Sequence, residues 1–363
     1  MKEGWEIKKL GEVCENLDSK RVPITKHLRS EGKYPYYGAS GIVDYVDNYI
    51  FDEELLLVSE DGANLLARTY PIAFSINGKC WVNNHAHVLK FKEKTAQIFV
   101  EYYLNSIKLD DYVSGMAQPK LNQQMLNSIK IPIPPLPEQQ RIVQLLDEAF
   151  EKIDTLKANA ERNLQNAKEL FQSALTEELK QKKGWESKTL NQISENLDSK
   201  RVPITKNVRN EGNIPYYGAS GIVDYVADYL FDENLLCVSE DGANLLARTY
   251  PIAFSISGKT WVNNHAHILR FKEMVSQRFV ELYLNSIKLD DYVSGMAQPK
   301  LNQAMLNKIP VPFPTLTEQQ TIVEHLDALS SRCKTLEINY QKTITQCDEM
   351  KKAVLAKAFN GEL

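Results

Sequence analysis

The sequence predicts an α+β protein in which one arrangement occurs twice. We expect two duplicated α/β globular domains separated by an antiparallel coiled coil of two long helices, with pseudo-two-fold symmetry. Two observations support this fold class. The second half of the chain repeats the first at a constant offset of 180 residues, as Trp5 and Trp185 show. Each copy also ends in a proline-rich segment that leads into a long helical pattern.

The repeat covers nearly all of each half. Segments 15–25, 36–46, 59–76 and 109–123 return as 195–205, 216–226, 239–256 and 289–303. Roughly four fifths of the positions in 14–135 are identical in 194–315, with no insertion. Two long copies indicate duplication of a domain with its helix, and not a stack of short repeats.

Within each copy the pattern is mixed. Short apolar runs at 50–51, 55–59, 72–76 and 87–91, separated by Gly, Asn and Asp, predict strands. Residues 96–107 have apolar residues at helical spacing and predict a helix packed on the sheet. The pattern does not determine the strand order.

The two long helices follow from heptad spacing. Apolar residues alternate by four and three from Ile142 to Ala174 and, in the same register, from Ile322 to Val354. Pro137 suits a first helical turn, and Thr315 with Glu318 predicts a capping box. Asn163 occupies a seam position, where it either fixes the helix register or faces solvent.

Connectivity predicts how the helices pair. The first helix leads directly into the second globular domain, so an antiparallel pair needs only short connections. The expected domains are 1–135 (globular), 136–183 (central helix), 184–315 (globular) and 316–363 (C-terminal helix, paired with the central helix).

Composition narrows the functional class. The net charge is −4, and 14–135 carries nearly equal numbers of acidic and basic residues, so any contact with DNA would need partners to supply positive charge. The five cysteines have no cysteine at the matching position of the other copy, which argues against a disulfide framework or a repeated metal cluster. No apolar run is long enough for a transmembrane helix, and the first residues do not resemble a signal peptide. We therefore expect a cytoplasmic protein.

Several features together resemble a known family. Each copy has a Gly-Trp opening, a Gln-Pro-Lys-Leu-Asn element (118–122 and 298–302) and an Ile-Pro-Ile-Pro-Pro-Leu-Pro-Glu-Gln-Gln segment or its variant before the long helix. The sequence closes on Ala-Phe-Asn-Gly-Glu-Leu. In this order, the motifs resemble the specificity subunit of type I restriction–modification systems over essentially the whole chain.

The resemblance implies a non-catalytic reader of double-stranded DNA. Each globular domain would be a target recognition domain for one half of a split sequence, and the helices would set the gap. The helices would also dock two methyltransferase subunits, which an ATP-dependent restriction subunit (translocase and nuclease) can join. No cofactor is expected in this chain, because S-adenosylmethionine and ATP would bind the partner subunits.

The side-chain chemistry of several loop residues suits contact with DNA: Arg and Lys suit guanine or phosphate, Asn and Gln suit adenine, and small hydroxyl groups suit several bases. These residues lie in loops 19–21, 38–41, 60–68, 81–87 and 114–122 and in the copies of these loops. The first-copy residues are Lys20, Arg21, Ser40, Asn64, Arg68, Asn83, Asn84, His85, Gln118 and Lys120. The second-copy residues are Lys200, Arg201, Ser220, Asn244, Arg248, Asn263, Asn264, His265, Gln298 and Lys300.

Each loop also has a purely structural interpretation. The Lys-Arg pair can be a solvated turn, and 36–41 can be a plain hairpin with core tyrosines. Residues 83–85 can be turn residues that bond their own backbone. The carboxylates of 60–64 would be repelled by phosphate unless they read cytosine amino groups. Gln118 and Lys120 can belong to a connection that leads towards the helix.

Because the candidate loops are the same in both copies, two readers related by a two-fold axis should recognise the same half-site in inverted orientation. The sequence therefore predicts a palindromic or near-palindromic interrupted target.

Apolar residues outside the seam suggest partner docking. These are Val143, Phe150, Leu164, Phe171, Val323, Ile344, Leu355 and Phe359. The alternative is that they pack against the chain's own globular domains.

Two other functional classes compete. An enzyme is disfavoured, because no methyltransferase, Walker-type or nuclease motif is present and no catalytic residue can be assigned. His85 and His87 lack repeated partners at the spacing of zinc ligands, so no metal site is predicted. A two-headed protein-interaction scaffold without DNA readout remains the alternative function.

Overall fold

The computed structural model describes residues 3–115, 118–295 and 298–363. The candidate loops 114–122 and 294–302 each include two residues outside that description, 116–117 and 296–297. The chain divides into two compact units. Unit 1 comprises Met1–Ala160 with Lys342–Leu363, and unit 2 comprises Glu161–Gln341.

The first repeat contains both strands and helices, as the mixed sequence pattern predicts. The strands of the first repeat are β1 (Glu6–Lys9), β2 (Glu15–Asn16), β3 (Glu31–Gly38), β4 (Gly41–Val46), β5 (Phe51–Asp52), β6 (Leu55–Ser59), β7 (Ala73–Ile76), β8 (Lys79–Val82), β9 (Ala86–Lys90) and β10 (Lys130–Ile133). Its helices are α1 (Leu10–Val13), α2 (Asn64–Ala67), α3 (Lys94–Ser106), α4 (Gln123–Ser128) and α5 (Leu136–Leu179), with 3-10 turns at Asp18–Lys20 and Lys26–Leu28.

The second repeat has the same elements in the same order. Its strands are β11 (Glu186–Thr189), β12 (Glu195–Asn196), β13 (Ile214–Gly218), β14 (Gly221–Val226), β15 (Phe231–Asp232), β16 (Leu235–Ser239), β17 (Ala253–Ile256), β18 (Lys259–Val262), β19 (Ala266–Arg270) and β20 (Pro310–Phe313). Its helices are α6 (Leu190–Ile193), α7 (Asn244–Ala247), α8 (Met274–Ser286), α9 (Gln303–Leu306) and α10 (Leu316–Asn360), with 3-10 turns at Asp198–Lys200 and Lys206–Val208.

Each globular part contains two four-stranded sheets. In unit 1 the first is antiparallel, in the order β2-β9-β6-β7. The second has the order β4-β3-β8-β5, and β3 pairs with β8 in parallel. A separate pairing of β1 with β10 joins the start of the repeat to the segment before the long helix. The corresponding strands of unit 2 pair in the same way.

Strand β6 is central, and both of its faces are covered. Leu56 and Val58 belong to a core formed with α3 and the long helices, whereas Leu55 and Leu57 belong to a second core on the opposite face. A strand buried on both sides needs a continuous apolar run, which is why 55–59 reads Leu-Leu-Leu-Val-Ser. The predicted strand is confirmed, with Leu55–Ser59 as its bounds.

The long helices are confirmed at 44 and 45 residues. Thr315 and Glu318 form the predicted capping box: the Thr315 N–H donates to the Glu318 carboxylate at 3.0 Å, and the Glu318 N–H donates to Thr315 Oγ1 at 3.4 Å. Within the described ranges, no helix has a stretch of 18 residues that is apolar enough to cross a bilayer.

Within unit 1 the two helices run antiparallel. Lys157 pairs with Asp348 at 2.7 Å, and Asp154 pairs with Lys351 at 2.5 Å. Position therefore decreases along α10 as it increases along α5, as predicted. The two-fold relation between the repeats stays a prediction.

The predicted heptad seam is only half right. Leu146, Ile153, Ala160 and Ala167 are buried, but Leu156 and Leu170 are 46% and 52% exposed. Helix α5 also packs against globular residues outside the seam, through Phe150 in unit 1 and Phe171 in unit 2. Along α5, the side chains that contact the cores therefore include Phe150 and Phe171, whereas Leu156 and Leu170 remain exposed. Asn163 is exposed, so it faces solvent and does not fix a register.

Candidate nucleic-acid interface

The tip of the β3–β4 hairpin lies beside two other loops of unit 1. The Ser59 hydroxyl donates to the Ala39 carbonyl at 2.6 Å, and the Asn83 N–H donates to the Tyr37 carbonyl at 3.0 Å. Ser40 Oγ lies 3.1 Å from the Tyr70 hydroxyl. Tyr36 is fully buried, as expected for a hairpin with core tyrosines.

Three loops meet at Glu60. The Glu60 N–H donates to the His85 carbonyl at 2.9 Å, and the Glu60 carbonyl accepts from the Leu121 N–H at 2.8 Å. The Gly62 N–H donates to the Pro119 carbonyl at 3.0 Å. These backbone contacts place parts of the candidate loops 60–68, 81–87 and 114–122 on one surface.

A buried group of charged side chains lies beneath that junction. We call Asp18, Arg21, Glu60 and His87 the ion cluster. Arg21 Nη1 lies 2.6 Å from Glu60 Oε2, and Arg21 Nη2 lies 3.4 Å from Asp18 Oδ2. Arg21 also donates to the Ala86 carbonyl at 2.8 Å. Its three partners come from different segments, so one guanidinium ties them together.

His87 is fully buried and bonded at both ring nitrogens. Nδ1 lies 2.6 Å from Asp18 Oδ2, and Nε2 lies 2.7 Å from the Leu121 carbonyl oxygen. Both oxygens are acceptors, so this geometry is satisfied when both nitrogens carry hydrogen and the ring is a cation. Burial tends to raise the pKa of Asp18, but the hydrogen bond and charge of His87, the Val88 N–H and the charge of Arg21 outweigh it and lower that pKa below its ordinary value.

Unit 2 reproduces the ion cluster. Arg201 lies 2.6 Å from Glu240, and His267 lies 2.6 Å from Asp198. The pKa of Asp198 is lowered in the same way, with burial opposed by the His267 hydrogen bond. The pKa of Glu240 is also lowered. Burial tends to raise this pKa, but hydrogen bonds from Arg201 and Lys300 and the charges of His267 and Arg201 outweigh it.

The donor set also has to be considered as a metal site. Asp18, Glu60 and His87 each offer a ligand atom within 4.8 Å of the others. The Arg21 guanidinium already lies between the two carboxylates and supplies the positive charge. The group is therefore an internal ion cluster rather than a vacant cation site. The two histidines considered for zinc do not converge, since His85 Nδ1 contacts Asp61 and His87 Nδ1 contacts Asp18.

Six of the ten predicted contact residues in each repeat lie on the surface. These are Lys20, Ser40, Asn84, His85, Gln118 and Lys120, with Lys200, Ser220, Asn264, His265, Gln298 and Lys300. Lys120 Nζ lies 3.2 Å from Glu60 Oε1, which links this surface to the ion cluster beneath it.

The other four are engaged inside the fold. Arg21 belongs to the ion cluster, and buried Asn83 accepts the His85 N–H at 2.8 Å. Buried Asn64 accepts the Thr69 N–H at 2.9 Å and donates to the Tyr70 carbonyl at 2.9 Å. Their copies Arg201, Asn263 and Asn244 make the same contacts.

Arg68 closes the end of helix α3. Its φ of +54° places it in the left-handed region, which non-glycine residues seldom adopt. Its guanidinium donates to the Leu104 and Ile107 carbonyls at 2.8 and 2.5 Å, and Arg248 contacts the Leu284 and Ile287 carbonyls in unit 2. These arginines satisfy carbonyl groups at a helix end, so the structure assigns them a role in folding.

The sequence interpretation missed three features of this surface, which are the pairing of Asp61 with His85, the position of Tyr70 and a cavity in unit 2. Asp61 orients the exposed imidazole of His85, and Tyr70 reaches the hairpin tip. In unit 2 a cavity of about 570 Å³ lies between the hairpin tip and the Tyr250–Phe254 segment. The only available signal was the complete identity of 59–76 with 239–256, which does not separate surface residues from core residues.

The residues proposed for partner docking are mostly part of the cores. Val143, Phe150, Leu355 and Phe359 lie in or against the main core of unit 1, and Phe171 and Val323 lie in or against that of unit 2. Leu164 and Ile344 are half-buried. Other apolar residues of the long helices are exposed, and they include Leu156 and Met350 in unit 1 and Leu170 and Leu336 in unit 2.

Comparison with known proteins gives a consistent result. The family model described as "Type I restriction modification DNA specificity domain" matches residues 2–165 and again 182–346. A protein of Haemophilus influenzae named "Putative type I restriction enzyme specificity subunit S.HindORF215P" is 30% identical over 90% of this chain and 88% of its own length. The EcoDI specificity subunit of Escherichia coli is 21% identical over 99% of this chain and 88% of its own length.

Solved structures share the fold. The HsdS subunit from Thermoanaerobacter tengcongensis aligns over 100% of this chain and 98% of that chain, with a TM-score of 0.63 and 18% identity. A chain from a structure of a type I R-M system aligns over 100% and 99%, with a TM-score of 0.73 and 17% identity.

Proposed function

Because this chain belongs to the type I restriction–modification DNA specificity family, we propose that it reads a DNA sequence in two separated halves, one with each unit. It is a specificity subunit, the non-catalytic DNA-recognition component of its system. S-adenosylmethionine and ATP would bind to partner subunits, which are two methyltransferase subunits and, where one is present, a restriction subunit.

One observation carries the proposal. Two units present the same six exposed polar side chains over the same buried ion cluster. Lys20 and Lys120 suit phosphate or guanine, and Asn84 and Gln118 suit adenine. The ion cluster fixes the loops that carry most of these side chains before DNA arrives, so little order has to be gained on binding.

The two half-sites are proposed to be the same sequence in inverted orientation. All ten candidate residues of the first repeat have identical counterparts in the second. Identical surfaces select identical bases, and a near-palindromic interrupted target follows if the units are related by a two-fold axis. The helices α5 and α10 would set the length of the unread gap.

Partner docking is proposed to use the exposed apolar residues of the long helices. Leu156 and Met350 of unit 1 and Leu170 and Leu336 of unit 2 each leave large apolar surface in water. The positions correspond by the 180-residue repeat, which suits two copies of one partner. The net charge of −4 also favours a partner that supplies phosphate-neutralising charge.

The test is to coexpress the chain with the methyltransferase of its system and map methylated bases genome-wide by single-molecule sequencing. We expect one interrupted motif whose two halves are reverse complements or nearly so. Two unrelated half-sites would contradict the palindrome. No sequence-dependent methylation, with an active methyltransferase bound to the chain, would favour the scaffold function.

A further inference from the structure

The main chain of His85 is fixed although its ring is exposed. The His85 N–H donates to Asn83 Oδ1 at 2.8 Å, and the His85 carbonyl accepts from the Glu60 N–H at 2.9 Å. Asn83 and Glu60 are both buried. The side chain of His85 is nevertheless 52% exposed, so a rigid backbone presents its imidazole to solvent.

A carboxylate sets the orientation of that ring. His85 Nδ1 lies 2.7 Å from Asp61 Oδ2. An ionised carboxylate only accepts hydrogen bonds, so Nδ1 carries the hydrogen and Nε2 of the neutral ring carries a lone pair. Asp61 is itself held in place, because its backbone forms a bridge with that of Lys120.

Unit 2 contains the same pair in the same environment. His265 Nδ1 lies 2.8 Å from Asp241 Oδ2, and the side chain of His265 is 53% exposed. Its N–H donates to Asn263 Oδ1 at 2.8 Å, and its carbonyl accepts from the Glu240 N–H at 2.9 Å. The arrangement is thus independent of the positions at which the repeats differ.

An oriented acceptor is unusual among the neighbouring exposed groups. Lys120 offers only donors, and the amides of Asn84 and Gln118 can turn either way. A bare Nε2 beside a carboxylate would repel a phosphate oxygen, which disfavours contact with the DNA backbone. It can accept a hydrogen bond from an exocyclic amino group, which in the major groove belongs to cytosine N4 or adenine N6.

We infer that His85 and His265 each select an amino-bearing base, cytosine or adenine, at one position of the half-site that their own unit reads. At that position they reject guanine and thymine. Asp61 and Asp241 act as positioning residues that hold the accepting nitrogen outward. This inference rests on the proposed function, and it adds the residue that determines specificity and the chemical group that this residue recognises.

The test uses the complex of the full chain with its methyltransferase and a library of double-stranded DNA with randomised positions. Bound DNA is sequenced for the wild type and for three double variants: H85A/H265A, D61A/D241A and H85Q/H265Q. In the wild type we expect roughly tenfold discrimination at one position of each half-site. The two alanine variants should reduce it to about twofold or less there, and leave the other positions unchanged.

The glutamine variant is the conservative control, because its side-chain oxygen can still accept from an amino group. It should retain a preference for cytosine or adenine at that position. The thermal midpoint of each complex is measured in parallel, since a merely structural role would weaken all positions together.

The outcomes separate this inference from the function on which it rests. Unchanged base preference in the alanine variants, equal loss at every position, or a wild-type preference for guanine or thymine at the affected position would each overturn the inference. If the wild-type complex enriches no sequence at all, the proposed function itself fails.

Discussion

Arg21 Nη1 lies 2.6 Å from Glu60 Oε2, and Arg201 repeats this contact with Glu240 at 2.6 Å. By chemistry alone Arg21 was a good candidate for reading guanine. In the structure it instead fixes the loops that carry other candidates. Two residues that are adjacent in sequence therefore have different roles. Lys20 faces solvent on the candidate DNA-binding surface, and Arg21 belongs to the ion cluster beneath it.

Substitutions of Arg21 and of Lys20 should separate the structural role of the first residue from the proposed DNA-binding role of the second. R21Q removes the guanidinium that lies between the carboxylates of Glu60 and Asp18, so we expect unit 1 to lose roughly 3 kcal/mol of unfolding free energy. K20A should leave stability within about 0.5 kcal/mol of the wild type. Urea unfolding of both variants measures the difference.

DNA binding supplies the complementary measurement. In the complex with the methyltransferase, K20A/K200A should reduce the salt dependence of affinity by about two counterions if both lysines contact phosphate. An unchanged slope would place Lys20 and Lys200 outside the backbone contacts.

The ion clusters should make stability sensitive to acid. The folded pKa of Asp18 and of Asp198 lies below the ordinary aspartate value, so the unfolded chain binds more protons in the window between the two values. This stabilisation is fully present above about pH 4 and is lost as the pH falls through the folded pKa.

Asparagine at both positions tests this dependence. We expect D18N/D198N to be less stable than the wild type at neutral pH and to lose less stability between about pH 5 and pH 3. Substitution of exposed Asp47 by Asn is the control. Parallel pH curves for wild type and double variant would show that these carboxylates do not control the acid response.

The long helices offer a pair of contrasting variants. F150A removes a ring that packs edge-on against Tyr102 at 5.4 Å, and should cost unit 1 about 2–4 kcal/mol. L156D changes an exposed residue and should leave the free energy of unfolding nearly unaffected.

If the exposed leucines Leu156 and Leu336 dock the methyltransferase, L156D/L336D should weaken the complex at least tenfold in analytical ultracentrifugation, because docking would bury the new charges.

The gap between half-sites should follow the length of the helices. Inserting one heptad into α5 after Lys157 and another into α10 before Asp348 keeps that ion pair level and lengthens both helices on the same side of it. Seven residues add about 10 Å, or roughly three base pairs of B-DNA. Methylome mapping should show a longer gap with each half-site unchanged, and an unchanged gap would exclude the helices as the spacer.

Most of the architecture could be predicted because it depends on periodicity. The long helices, strand β6 and the helix at Lys94–Ser106 all carry an apolar pattern that one chain segment reveals by itself. The two-residue strand Glu15–Asn16 is too short to show a period, and the pairing of β1 with β10 joins residues more than a hundred positions apart. No local signal encodes such contacts.

The candidate site could be predicted only in outline, because exposure is decided by tertiary partners. Asn83 and Asn84 are adjacent and chemically identical, yet the first is buried and the second is exposed. The sequence around Arg68 does not distinguish it from an arginine that contacts DNA. Its structural role is visible only in the fold, where its guanidinium donates to the carbonyls of Leu104 and Ile107. The pairing of Asp61 with His85 likewise depends on two loops that meet only in the folded chain.

Unit 1 is assembled from two segments that are far apart in the chain. Leu355 and Ala358 lie in its main core, and the Phe359 ring packs 5.3 Å from that of Phe99. A ribosome makes the chain from the N-terminus. The core of unit 1 therefore stays incomplete until the segment Lys342–Leu363 has been translated, which happens after the whole of unit 2. Of the two units, the one that is translated first is consequently the one whose core is completed last, and until then the core residues that pack against α10 lack these partners.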